Sequence, residues 1–140
     1  MATASARVDI PVTAAEVWQL IGGFDSLPDW LPYIPQSELS EGGRVRRLAT
    51  PDGGVIVERL MSFSEQDRSY SYHILQSPFP QTDYLSTLRV VEIDGGRGAR
   101  IEWSGRFTPV GVTEAEISGL FQQIYEDGLR ALRDRYAGGS

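Results

Sequence analysis

The sequence predicts an α+β domain, a curled seven-stranded antiparallel sheet wrapped around a long C-terminal helix, with a short helix pair after the first strand. Three observations lead there. Thr13-Ala14-Ala15-Glu16 and Thr113-Glu114-Ala115-Glu116 are both T-x-x-E capping boxes, one near each end of the chain, and each marks a helix start. Between them, Gly-Gly pairs at 42–43, 53–54 and 95–96 punctuate segments of strand composition. Six consecutive strands with so little helix cannot bury both faces, so the sheet must curl and the long helix must close its concave side.

The first strand is expected at residues 5–11. The helix after Thr13 is stapled by Val12 against Val17 and stops at Gly22-Gly23. In residues 24–33, Pro28 and Pro32 forbid a long helix, so this stretch is expected as a short turn wedged under the terminal helix, with Trp30 as a packing residue. Six strands follow at 36–40, 44–50, 54–64, 69–76, 82–93 and 100–108, with hairpin turns at Asp52-Gly53 and Asp94-Gly95. The last helix carries Ile117, Leu120, Phe121, Ile124, Gly128, Ala131 and Leu132 on one stripe, with Val112 as its staple, and is expected to end before Gly138-Gly139. At 1.5 Å per residue it spans on the order of 35 Å, enough to cross a sheet.

With 140 residues, 41% apolar and 23% charged, the chain fits a single domain over 1–140. The absence of Cys excludes disulfides and thiolate chemistry, and a lone His73 excludes a histidine metal cluster. All 13 basic residues are Arg, so Schiff-base catalysis is excluded too. A net charge of -6 weighs against binding to phosphate backbones. There is no run of ~18 apolar residues, and MATASARVDI lacks the apolar core of a signal peptide. The expectations are therefore no nucleic acid, no membrane span, no metal, no cofactor and a cytoplasmic location, with the oligomeric state left open.

Alternation assigns some faces. Tyr70, Tyr72 and Ile74 share one, with His73 on the serine side toward solvent; Ile101, Trp103, Gly105 and Phe107 share the interior face of theirs. The strand VIVERLMSF is ambiguous, because Ile56, Glu58 and Leu60 on one face match Val57, Arg59 and Met61 on the other. Arg46 with Leu48 and Val45 with Arg47 pose the same problem, and periodicity does not choose.

The landmarks AAEVWQLIGGFDSLPDWLPYI, VERL, RSYSYHI, DYLSTLRV, ARIEWSGRF and the long terminal helix, over residues 14–136, resemble the START-like (SRPBCC) superfamily. Within it they resemble the polyketide cyclase/dehydrase-like group. The resemblance implies a helix-grip fold with a hydrophobic cavity between sheet and C-terminal helix, suited to lipids, polyketides or similar molecules. The motifs look most like those of lachrymatory factor synthases and, more loosely, abscisic acid receptors. The first likeness implies that Arg46 in Gly43-Arg44-Val45-Arg46, Glu58 in Glu58-Arg59-Leu60 and Tyr84 in Asp83-Tyr84 point inward, with Arg47 and Arg59 outward. In the second, Pro35 stands where the receptors carry a lysine for the hormone carboxylate, and loops 49–54 and 77–82 lie at the places of their gate and latch.

The pocket is then expected to be lined by Tyr72, Ile74, Trp103, Phe107, Phe121, Ile124 and Tyr125, with Phe79 between two prolines as a lid. Burial would neutralise Glu58 if it were alone, and a nearby Arg46 restores the ionised form. Two functions follow: a carrier or binding protein for a small hydrophobic molecule, or a cyclase- or isomerase-type enzyme. The enzyme would use Glu58 as acid/base, Arg46 to stabilise a developing anion, and Tyr84 beside them.

Overall fold

A computed structural model describes residues 2–138, with side chains through Tyr136. In chain order the elements are β1 (Ala2–Ile10), α1 (Ala14–Ile21), α2 (Leu27–Trp30), β2 (Gln36–Ser40), β3 (Val45–Ala49), β4 (Val55–Ser64), β5 (Ser69–Gln76), β6 (Gln81–Ile93), β7 (Gly98–Pro109) and α3 (Glu114–Gly138). The seven strands form one antiparallel sheet in the order β1-β7-β6-β5-β4-β3-β2. The buried side chains of α3 (Ile117, Phe121, Tyr125, Leu129 and Leu132) pack with those of the sheet and of α1 and α2 into one core. No helix among the described residues is long and apolar enough to cross a membrane.

Both caps form as the sequence indicates: the Glu16 N–H donates to Thr13 Oγ1 at 3.2 Å and the Glu116 N–H to Thr113 Oγ1 at 3.1 Å. Each satisfies a donor that the first helical turn would otherwise leave orphaned. Several strand ends shift by one or two residues from those predicted, as in β7, which runs 98–109 rather than 100–108, and the start of β1 shifts by more. β1 begins at Ala2 rather than at residue 5, and Ala2 and Ala4 are buried opposite Phe107 and Gly105. Alanine has little strand preference, so the alternation of small residues does not announce a strand until β7 supplies its partner. At the other end, α3 runs through Gly138; Gly139 lies outside the described residues. On α3 itself, Leu120 is exposed and Ile124 only half-buried, so the seam against the sheet is narrower than the predicted stripe.

Two loops are near copies. Glu41-Gly42-Gly43-Arg44 and Asp94-Gly95-Gly96-Arg97 each place three consecutive residues at positive φ, 50°, 71° and 89° in the first and 54°, 66° and 91° in the second. Glycine tolerates that conformation without a Cβ penalty, which is why the pairs sit where strands reverse. Irregular register explains another feature. Met61 and Leu75 are unpaired at register shifts in the β4–β5 ladder and are 48% and 52% exposed, apolar side chains turned out by the bulges that hold them. In β6, Asp83 has φ 54° at the shift between Thr82 and Leu85, and Tyr84 beyond it turns inward.

Two glycines let α3 approach. A Cβ on Gly105 would lie 2.2 Å from the Tyr125 hydroxyl, and one on Gly128 would lie 2.8 Å from both Leu31 and Trp103. Gly105→Ala is expected to lower stability by about 1–3 kcal/mol, read by urea unfolding, because Tyr125 must leave its rotamer or α3 must lift. A change within error would show that the contact yields freely.

Candidate functional site

The site is built from register. Arg46 on β3 pairs with Glu58 on β4, and Glu58 with Ile74 on β5, so the three side chains share the concave face. Arg46 is 1% exposed and Glu58 5%. Arg46 Nε donates to Glu58 Oε1 at 2.8 Å, and its Nη2 lies 2.7 Å from the same oxygen. Nη1 donates to the Phe24 carbonyl at 2.9 Å and to the Tyr70 hydroxyl at 3.3 Å. The guanidinium carbon also lies 4.2 Å from the Phe24 ring centroid and 4.8 Å from that of Tyr72. A charge that has left water is thus re-solvated by a carboxylate, a carbonyl, a hydroxyl and two ring faces. The neighbouring charges face the other way: Arg59 reaches Glu41 at 3.2 Å on the exposed side, and Arg47 is exposed. His73 is half-buried on the outer face, opposite Arg59 in the ladder.

A ladder of hydroxyls runs from this pair toward α3. The Trp103 indole N–H lies 3.1 Å from both the Tyr72 hydroxyl and Ser86 Oγ, and Ser86 donates to the Ser104 carbonyl. The Tyr72 hydroxyl is 3.5 Å from that of Tyr84, which makes a short hydrogen bond to Tyr125 on α3. Trp103 stacks on Tyr125 with centroids 4.7 Å apart and meets Trp30 edge-on at 5.9 Å, the packing role expected for Trp30.

Between this floor and α3 lies an open cavity of about 470 Å³, within the range of small-molecule sites. Its walls are apolar, with Leu48, Ile56 and Ile74 from the sheet, Leu31 and Ile34 from the α2 segment, and Phe121 and Ile124 from α3. Loops 49–54 and 77–82 supply Asp52 and Phe79. Phe79 is half-buried and its ring meets Phe121 edge-on at 5.3 Å.

The electrostatics follow from burial. Burial lifts the Glu58 carboxyl above its ordinary value, and Arg46 opposes this by its charge and hydrogen bond without cancelling it. The opposite signs of burial and of Arg46 are those expected from the sequence. Burial alone would lower the Arg46 guanidinium, but Tyr70, Glu58 and Tyr72 together raise it, and it stays charged. Burial also pushes the Tyr72 and Tyr84 hydroxyls well up and that of Tyr125 up to about 12, so all three are proton-bearing hydroxyls at neutral pH.

Of the predicted site residues, Arg46, Glu58, Tyr84, Tyr72, Ile74, Trp103, Phe121, Ile124, Tyr125 and Phe79 all border the cavity. Phe107 does not: it is fully buried, stacked on Tyr84 with centroids 5.8 Å apart and tilted against Phe121 at 4.7 Å. Its strand face is right, but two aromatic rings stand between it and the space. Sequence reasoning missed the contribution of α2 and the turn after it, which supply Leu27, Leu31 and Ile34, and the mouth residues Asp52 and Leu120. Leu48 and Ile56 follow directly once Arg46 and Glu58 are placed inward, since each lies two residues along the same strand.

A sheet gripping a long helix around a mostly apolar cavity with a polar floor defines a START-like protein. Residues 1–137 match the family described as polyketide cyclase / dehydrase and lipid transport, and the chain belongs to that family. It is 52% identical to the protein XoxI of Bacillus cereus, with a TM-score of 0.95 over 98% of this chain and 96% of that one. A START superfamily protein of Mycobacterium smegmatis superposes with a TM-score of 0.80 at 17% identity, covering 99% of both chains. The Zhui aromatase/cyclase from a Streptomyces species does so at 0.76 and 16% identity, over 98% of this chain and 92% of that one. The last two share the fold.

Two measurements test the pair. Arg46→Leu strands a buried carboxyl and is expected to cost about 3–5 kcal/mol in urea unfolding, with much of the loss recovered in Arg46→Leu/Glu58→Leu. Equal losses in single and double variants would deny the coupling. Because the Glu58 pKa is raised above its ordinary 4.5, the folded protein holds this proton more tightly than the unfolded chain. Stability from Glu58 is full below that value and falls as pH rises through the raised one. Melting temperatures of Glu58→Gln relative to wild type should therefore climb across that window; a flat difference would overturn the assignment.

Proposed function

We propose that this protein binds a small, largely apolar molecule, of the lipid or polyketide kind, in the cavity between the sheet and α3. The single observation that carries the reading is an open apolar space whose floor holds an ion pair, where leucine or methionine would have packed more cheaply. The family description, which joins polyketide cyclases with lipid transport, supports it. The ligand's polar end lies near Arg46, Glu58 and Tyr84; Tyr72, Ile74, Trp103, Phe121, Ile124 and Tyr125 hold its body, and Phe79 covers the mouth. One domain in the cytoplasm suffices for this role.

The raised Glu58 carboxyl and the three linked hydroxyls favour a second reading, proton transfer on the bound molecule. Glu58 would exchange the proton as acid or base, and Arg46 would stabilise negative charge developing on the ligand. Turnover that survives Glu58→Gln would exclude that mechanism, whereas a variant that loses affinity alone supports the carrier.

Native mass spectrometry of the purified protein and titration with the neutral dye Nile red test the binding itself. One bound molecule per chain is expected, and Ile124→Trp, which fills the cavity from α3, should abolish dye uptake while the fold melts cooperatively. Neither copurified ligand nor dye uptake in the wild-type protein would overturn the reading.

A further inference from the structure

Resting on the cavity reading, we propose that the ligand's polar end is a neutral hydroxyl, an alcohol or a phenol, that donates a hydrogen bond to Glu58 Oε2, and that the cavity rejects carboxylates such as free fatty acids. Arg46 is the residue that would ordinarily capture a carboxylate. Here it has little left to give. Each of its three guanidinium nitrogens already has a protein partner, and its faces are covered by Phe24 and Tyr72. Four of its five N–H groups are engaged, so at 1% exposure it could grip an anion through two of them only by giving up a protein partner.

Glu58 is in the opposite position. Both contacts from Arg46 converge on Oε1, and Oε2 accepts from no described residue. That oxygen is not among the sealed unpartnered polar atoms, Trp30 Nε1 and Gln81 Oε1, and Glu58 borders the cavity. An ionised carboxylate accepts through both oxygens, so the free one is an acceptor facing an otherwise apolar space. A buried acceptor left unmet costs more than a paired one gains, which makes a ligand donor the natural complement.

The rest of the lining points the same way. Asp52 stands at the mouth, its carboxyl held low by the Thr50 hydroxyl and the Gly54 N–H. An anion would pass this charge and then meet Glu58, while Arg46, the cation among the lining residues, is already neutralised by its partner. The tyrosines add one donor at most. Three hydroxyls with two mutual contacts leave a single proton over, enough for a carbonyl or hydroxyl oxygen and too little to replace the hydration of a carboxylate.

The test compares three probes on one ring system against the full chain: naphthol, which donates, acetylnaphthalene, which only accepts, and naphthoate, which is charged. Displacement of Nile red is expected to rank naphthol about tenfold or more above acetylnaphthalene, the worth of a hydrogen bond to a charged group, with naphthoate weakest. In Glu58→Gln the amide oxygen keeps Arg46 and its –NH2 turns to the cavity, a donor in place of an acceptor, so the order of naphthol and acetylnaphthalene should reverse. A purely structural role for Glu58 would weaken all three alike. Naphthoate binding tightest to the wild-type protein, or an unchanged order in Glu58→Gln, overturns the proposal while leaving the cavity reading in place. Wild-type protein that takes up neither Nile red nor any probe overturns the cavity reading and the proposal with it.

Discussion

The Arg46–Glu58 pair is the constraint on which the interior depends. It spans adjacent strands in direct register, so its two members can meet only if β3 and β4 pair as they do. A slip of one residue would turn one member outward, drive Arg47 or Arg59 into the core in its place and leave the other member without its partner. The pair is costly to bury, yet it makes one strand register far better than its neighbours. Everything else on the concave face inherits that choice: Leu48, Ile56 and Leu60 turn inward with it, and the wall is complete before α3 arrives.

The helix then has to be admitted without closing the space. Gly105 and Gly128 let α3 settle close to β7 at two points, where an alanine methyl would collide with Tyr125, Leu31 or Trp103. Close contact there leaves the gap elsewhere, between the ion pair, the loops and the flank of α3 that carries Ile124. The cavity is therefore asymmetric in polarity, with ionic and hydroxyl groups on the sheet side and hydrocarbon on most of the rest. Such a gradient orients a guest as well as holding it, because only one end of an amphipathic molecule can satisfy the floor.

Much of this was legible in the sequence, and for physical reasons. Capping boxes, glycine pairs and the clean alternation around Tyr72 and Trp103 are local signals, and they placed both capped helices and every strand, though not every strand end. The face of β4 was not legible from its own residues, because two apolar side chains and one charge stand on each side; family likeness settled it. Phe107 shows a different limit. Alternation tells which face a side chain takes but not how many layers lie above it, and Tyr84 and Phe121 cover this ring. Ala2 and Ala4 joined a strand through pairing with β7, a long-range effect that no window of sequence contains. The bulge at Asp83 is another such effect, since the unpaired residue is defined only by the strand across from it.

Trp103 has a consequence beyond its packing. Its indole borders the cavity, stacks on Tyr125 and donates toward Tyr72 and Ser86, so the arrival of a guest changes the polarity around the ring. Trp18 and Trp30 do not line that space and supply a steady background. The chamber thus carries a built-in optical gauge: intrinsic emission should register filling and emptying in real time, with no label attached.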